Sequence, residues 1–279
     1  MCSSDLYPKF GPGQMWEEVA RRVQETGGQV LLDQDVQQVN VEGQRIRSVE
    51  TSRGTFEGDF FFSTMPVQEL IRSLKGTEVP AEVKEVNDGL MYRDFITVGL
   101  LLDRLKLKEE GPLGTALIKD NWIYIQEPEV LAGRLQIFNN WSPYLIADPD
   151  KVWVGVEYFC YEGDALWSKL DDEMKAFAAK ELAQIGIIDQ DAVLDATVIR
   201  MAKTYPAYFG TYDRFHVIQD YIDAFDNLYL IGRNGMHKYN NQDHSMLAAM
   251  TAVDNIVAGR TDKANVWATN TEQDYHESK

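Results

Sequence analysis

Late in the chain an arginine, a run of side-chain amides and a carboxylate stand close together: Gly232-Arg233-Asn234-Gly235-Met236-His237-Lys238-Tyr239-Asn240-Asn241-Gln242-Asp243. Residues of these types can hold an anion or a polar cofactor. A guanidinium supplies charge with a fork of donors, and glycine lets a ligand approach the backbone. The flanking elements must position them. Leu228 to Ile231 is a short apolar burst, the size of a buried strand. Beyond the polar loop, Met246, Leu247, Met250, Val253, Ile256 and Val257 recur at helical spacing, which predicts a helix burying that stripe. Asp243, His244 and Ser245 stand at N-cap positions, and Gly259 stands where the helix should stop. A strand thus delivers a glycine, an arginine and a helix N-terminus to one place. In open α/β sheets, anions and cofactors bind there, beyond the carboxyl ends of the strands.

The same residues resemble the closing FAD-binding motif of the flavin amine-oxidase superfamily. Within that family, Gly232-Arg233, an aromatic loop and Asn241-Gln242-Asp243 before a helix are most similar to the UDP-galactopyranose mutase-like, NAD(P)/FAD-dependent oxidoreductase branch. The resemblance implies FAD as cofactor, with Arg233 near its phosphate or ribityl side. It also implies that the N–H groups around Gln242 and Asp243 face the flavin O2. A helix N-terminus there favours the anionic reduced flavin by ~0.3–1 kcal/mol.

Composition narrows the classes. With 279 residues and 44% hydrophobic content, the chain can bury a sizeable core as one large domain or two lobes. A formal charge of −17 argues against a nucleic-acid surface, because phosphate repulsion has no basic patch to offset it. No apolar run approaches the twenty residues a membrane span needs, and the acidic balance fits a cytoplasmic protein acting on a small molecule. Two cysteines and four histidines at no ligand spacing argue against a disulfide framework or a metal site. No Gly-x-Ser-x-Gly or Ser/His/Asp constellation stands out.

Residues 1–6 lack the features of a signal peptide and read as a non-native leader. Gly11-Pro12-Gly13 is a tight entry to a helix carrying Met15, Trp16, Val19, Ala20 and Val23, closed by Gly27-Gly28. It is not a dinucleotide fingerprint, since Trp16 occupies the third glycine position and no apolar strand precedes it. The Gly-x-Gly-x-x-Gly unit that opens the family's nucleotide fold is not in this sequence, so a chain beginning upstream of Tyr7 is expected.

Val30 to Leu32, Val36 to Val41 and Ile46 to Glu50 read as short strands, with a hairpin turn at Glu42-Gly43-Gln44. Thr55-Phe56 reads as a short edge, followed by a buried strand at Asp59 to Ser63 that ends in Thr64-Met65-Pro66. This order resembles the family's second FAD-contacting block, which implies that Val36 meets the adenine and that Thr64, Met65 and Pro66 lie near the adenosine.

Helices at Leu70 to Leu74 and Pro80 to Val86 lead to apolar strands at Phe95 to Leu102, Asn121 to Gln126, Arg134 to Phe138 and Val152 to Phe159. Turn residues at hairpin intervals predict an antiparallel sheet. A helix follows from Asp171 on the stripe Met174, Phe177, Ala178, Leu182 and Ile185, stopped by Gly186. Val198 to Met201 then returns as a strand to Tyr205-Pro206-Ala207-Tyr208, and a helix through Phe215, Ile218, Ile222 and Phe225 leads back to Leu228. The resemblance places Tyr205 and Tyr208 along the substrate site, with Arg200 the one arginine of the insert to test for substrate contact. Trp122, Trp141 and Trp153 are weaker candidates.

The expected fold is α/β (α+β). An incomplete FAD-binding Rossmann-like lobe (7–74 and 211–262) is joined to a substrate lobe with an antiparallel sheet and helices (75–210), and a flexible tail occupies 263–279. Three functions stand open. One is the C-terminal part of an FAD-dependent amine-oxidase-type oxidoreductase, moving a hydride from substrate to flavin. The second is a flavin-dependent sugar-nucleotide mutase without net redox. The third is an inactive truncated fragment. No catalytic base stands out.

Overall fold

The computed structural model describes residues 7–107 and 117–269. The leader at 1–6 and the tail from 270 lie outside the described residues. In chain order the elements are α1 (Gly13–Glu25), β1 (Val36–Glu42), β2 (Arg45–Thr51), β3 (Gly54–Glu57), β4 (Phe61–Ser63), α2 (Val67–Ser73), β5 (Leu74–Lys75) and α3 (Ala81–Asp88). Next come β6 (Leu90–Leu102), β7 (Trp122–Tyr124), β8 (Arg134–Ile137), α4 (Phe138–Trp141), β9 (Val152–Cys160), α5 (Asp171–Gln184) and β10 (Val193–Gly210). The described chain closes with α6 (His216–Asp223), β11 (Leu228–Leu230), α7 (Gly232–Gly235), α8 (Gln242–Val257) and α9 (Ala264–Trp267). Helix and sheet are mixed throughout, as an α/β fold requires. Among the described residues no helix is long and apolar enough to cross a membrane.

The chain divides into two compact units, 31–93 with 203–269 and 7–30 with 94–202. Helix α1 therefore groups with the central insert, and segment 75–93 groups with β1 to β4. In the first unit a sheet of order β3-β2-β1-β5 lies beside the two-stranded pair β11-β4. The β1–β2 hairpin closes across Glu42↔Arg45 with Gly43 at φ +61°, the left-handed geometry a two-residue hairpin turn demands. Its core gathers Val39, Ile46, Leu70, Val86, Ile218 and Leu228.

The second unit carries most of the sheet β10-β6-β9-β8-β7, with 90–93 of β6 and 203–210 of β10 falling in the first. The pairs β6–β9, β9–β8 and β8–β7 are antiparallel. Period-two alternation gives this sheet two unlike faces. Val98, Leu100, Leu135, Val154, Val156 and Tyr158 share a core with Met174, Ala178 and Leu182 of α5. Register puts Thr97, Glu157, Arg134 and Tyr124 in one row on the other face. There Arg134 and Glu157 form an ion pair whose side chains are only 3% and 2% exposed, and Gln136 also donates to Glu157.

Four expectations need correction. Residues 30–32 form no strand, because Asp33 at φ +56° turns the chain immediately after them. The strand expected from Asp59 shortens to β4, and Phe62 within it is exposed. Helix α8 starts after Asn241, so Asp243, His244 and Ser245 lie inside its first turn. It buries Ala248, Ala252 and Asn255, leaving Met250 61% and Val257 83% exposed. Small residues at i and i+4, Ala248 and Ala252, let that face approach Tyr229, Met236 and Val266 more closely than the large stripe could. Finally, 263–269 is ordered: buried Lys263 donates to the Phe225 carbonyl at 2.6 Å, and the Trp267 indole donates to Asp223 at 3.0 Å.

Candidate functional site

Strands β4 and β11 run parallel in register, Phe61↔Leu228, Tyr229↔Phe62 and Leu230↔Ser63. The ladder extends at both ends, through Phe61 N–H to the Asn227 carbonyl (2.8 Å) and Ile231 N–H to the Ser63 carbonyl (3.1 Å). The Asn227 side chain ties the pair to the hairpin, accepting from Ile46 N–H at 2.8 Å and donating to the Ile46 and Asp59 carbonyls. Both strands therefore end at the same level. Thr64-Met65-Pro66 and Gly232-Arg233, far apart in sequence, leave the sheet together. This is the geometry of a site at the carboxyl ends of parallel strands.

Two glycines make the junction possible. Gly232 turns the chain at φ +74°, and a Cβ there would lie 3.6 Å from Thr64 Cγ2. Gly235 has no room at all, since a Cβ would stand 2.5 Å from the Ser63 carbonyl oxygen. Sequence reasoning missed Gly235, although the three-residue spacing from Gly232 puts both on one side of a helical turn.

A cavity of about 250 Å³ opens here, lined by Val36, Val39, Ser63, Thr64, Met65 and Leu228 among others. Val36 of β1 is thus brought to Thr64 and Met65. Pro66 opens α2 instead, its carbonyl accepting from Glu69 and Leu70. The volume falls just below the ~300–1,000 Å³ that encloses a drug-sized ligand.

Around the loop after Gly232, the Arg233 guanidinium donates to the Asn240 carbonyl through Nε (3.0 Å) and Nη2 (2.8 Å), and to the Thr204 carbonyl through Nη1 (3.4 Å). It also lies 4.7 Å from the ring centre of Tyr239 and 5.1 Å from that of Tyr205. Those rings stack on each other at 6.0 Å, and the Tyr208 hydroxyl accepts from Tyr239 N–H at 2.7 Å. Arg233, Tyr205 and Tyr208 therefore form one cluster. With three of five guanidinium hydrogens engaged, Arg233 keeps two donors for another acceptor. Gln242 and Asp243 are exposed in the first turn of α8, where Asn241 N–H points at His244 Nδ1 at 3.4 Å. Arg200 belongs to the other unit, where it bonds the Trp167 and Lys169 carbonyls and Asp171 and so fastens the loop entering α5.

His237 also escaped the sequence reading. It is fully buried at φ +45°, with Nε2 3.4 Å from the Ala207 carbonyl and the Tyr92 ring edge-on at 4.7 Å. Burial lowers its pKa to about 4, so the ring is neutral at neutral pH. Among the described residues, the buried polar atoms Ser63 Oγ, Asn234 Oδ1, His237 Nδ1 and Asn240 Nδ2 meet no hydrogen-bond partner. Buried polar atoms are seldom left so, and their gathering at the end of β4 and on this loop fits a polar ligand or water held there.

No protein-family model and no curated protein matches the chain in sequence. Solved structures do match. A reduced UDP-galactopyranose mutase superposes with TM-score 0.74 at 19% identity, covering 94% of this chain and 55% of its own. A putrescine oxidase bound to putrescine gives TM-score 0.61 at 13% identity, covering 89% and 53%. An oxidoreductase from Methanosarcina mazei gives 0.59 at 14% identity, covering 88% and 55%. The chain spans about half the length of the structures it matches. Likeness at such identities is likeness of fold: the chain shares the fold of this mutase, this oxidase and this oxidoreductase.

Proposed function

We propose that this chain carries part of the FAD site and the substrate wall of a cytoplasmic oxidoreductase of the amine-oxidase type. The observation that carries the reading is the in-register parallel pair β4–β11, which brings Thr64 and Gly232 to one cleft. In this reading Val36, Thr64, Met65 and Pro66 surround the adenosine end. Gly232 admits the ligand to the backbone, Arg233 offers its two remaining donors to a phosphate, and Asn241, Gln242 and Asp243 present the start of α8 to the ring. Tyr205 and Tyr208 exclude water on the substrate side, and Arg200 fixes the loop before α5. When bound, FAD supplies the hydride acceptor; the protein's share is to bind, orient and keep water out. The compact units answer to a cofactor lobe and a substrate lobe.

A second reading has its own support. The mutase superposes at TM-score 0.74, against 0.61 and 0.59 for the oxidase and oxidoreductase. Non-redox flavin chemistry on a sugar nucleotide is therefore kept beside amine oxidation. The test is to load the chain with FAD and add substrate without oxygen. Bleaching of the flavin by an amine selects the oxidoreductase. Isomerisation of UDP-galactopyranose by the reduced protein selects the mutase. Failure to take up FAD overturns both.

A further inference from the structure

Apart from the cleft at Thr64, the 31–93 segment holds a larger cavity of about 550 Å³ beside α2, β5 and α3. It shares no lining residue with that cleft, and its size lies within the ~300–1,000 Å³ of small-molecule sites. Ile71, Leu74 and Val79 contribute apolar surface, and the polar lining is unusual for so acidic a chain. Three cations, Arg72, Lys75 and Lys84, face two carboxylates, Glu78 and Asp88. Arg72 and Asp88 neutralise each other at 2.7 Å. Among the described residues neither Lys75 nor Lys84 forms an ion pair, so two ammonium groups stand against Glu78 in a protein of formal charge −17. The two ammonium groups repel one another and Glu78 offsets only one of them, so a bound anion would stabilise this local positive excess.

The second observation is Asn87, which also lines this cavity and is 1% exposed. Its amide is locked: Nδ2 donates to the Gln68 carbonyl at 3.2 Å, while Gln68 Nε2 donates to the Asn87 and Leu90 carbonyls at 2.7 and 2.8 Å. With the amide nitrogen engaged, Oδ1 is a buried acceptor that meets no donor among the described residues. Such an acceptor is costly unless a donor reaches it. Asn87 and Lys84 sit three residues apart on α3 and therefore share a face.

We infer that this cavity is a second ligand site, for a small organic anion bearing a hydroxyl group. Lys75 and Lys84 take the anionic head, and the hydroxyl donates to Asn87 Oδ1. Sugar phosphates and hydroxy acids both carry this chemistry. The inference is independent of the flavin reading.

Isothermal titration of the full chain tests it, with glycerol 3-phosphate, glycerate, methyl phosphate and inorganic phosphate as probes. The expected result is saturable binding of glycerol 3-phosphate or glycerate, whichever headgroup the site prefers, at ~1 mM or tighter. Methyl phosphate, lacking the hydroxyl, should bind ~10-fold more weakly than glycerol 3-phosphate, the scale of one buried hydrogen bond. Exposed Lys75→Glu and Lys84→Glu should each weaken binding by ~10-fold or more without unfolding the chain. No saturable binding up to ~10 mM, binding indifferent to both lysine reversals, or equal affinity for methyl phosphate and glycerol 3-phosphate would overturn the proposal.

Discussion

Gly235 shows how narrowly single positions are constrained, since its missing Cβ is what lets α7 rest on the Ser63 carbonyl. Gly235→Ala should therefore destabilise the chain by ~1–3 kcal/mol through forced overpacking, measured by urea unfolding. A neutral result would mean the junction yields freely. At His237 the prediction concerns pH. Its folded pKa of about 4 lies below the ordinary 6.5, so between those values the unfolded chain binds a proton the native state refuses. Its contribution to stability is complete above the unfolded value and is lost as pH falls toward 4, ~3 kcal/mol in all. His237→Phe keeps a ring and removes the titration, and the stability–pH slope in that window should flatten. An unchanged slope would place the titration elsewhere. In the other unit, Glu157→Ala should lose ~3–5 kcal/mol, because it strips the carboxylate that neutralises buried Arg134. None of these three positions was legible in the sequence. A lone His, a second Gly and a mid-strand Glu reveal their burial only when non-local packing is known.

At the scale of elements, legibility depended on whether a pattern had competitors. The β1–β2 hairpin could be read because Gly43 sits between two alternating runs, and α5 because Met174, Ala178 and Leu182 form its one apolar stripe. Helix α8 carries two stripes, and hydrophobicity picked the larger, whereas close packing picked Ala248 and Ala252. Ala252→Leu should accordingly destabilise by ~1–3 kcal/mol, while Met250→Lys should stay within ~0.5 kcal/mol. The reverse order in thermal denaturation would return the helix to the sequence-based orientation. Strand β10 was read too short, as Val198 to Met201 alone, and it contains Pro206. The strand runs through it to Gly210, at the end of its sheet's strand order, where a missing N–H is tolerated. The element that mattered most, β11 followed by Gly232, was legible because an apolar burst ending in glycine has few other uses.

The whole molecule combines two compact units with a formal charge of −17. So large an excess repels itself, and raising salt from ~0.01 M to ~0.1 M shortens the Debye length from about 30 to 10 Å. The melting temperature should rise over that range; a fall would mean that the ion pairs outweigh the repulsion. From sequence, the meeting of the strand before Thr64 with the strand before Gly232 was foreseen in outline, since the order of the two blocks carried it. The central insert was legible as strands but silent about chemistry, because the row holding Arg134 and Glu157 exists only once register is fixed. The central claim is that the cleft beyond the carboxyl ends of β4 and β11 holds a flavin nucleotide. Its most direct test is titration of FAD with the chain, followed by flavin fluorescence, for the wild type and for Gly232→Val. The account predicts saturable quenching that the variant loses by ~10-fold or more in affinity. A wild-type chain that leaves the fluorescence unchanged, or a variant that binds as well, would contradict it.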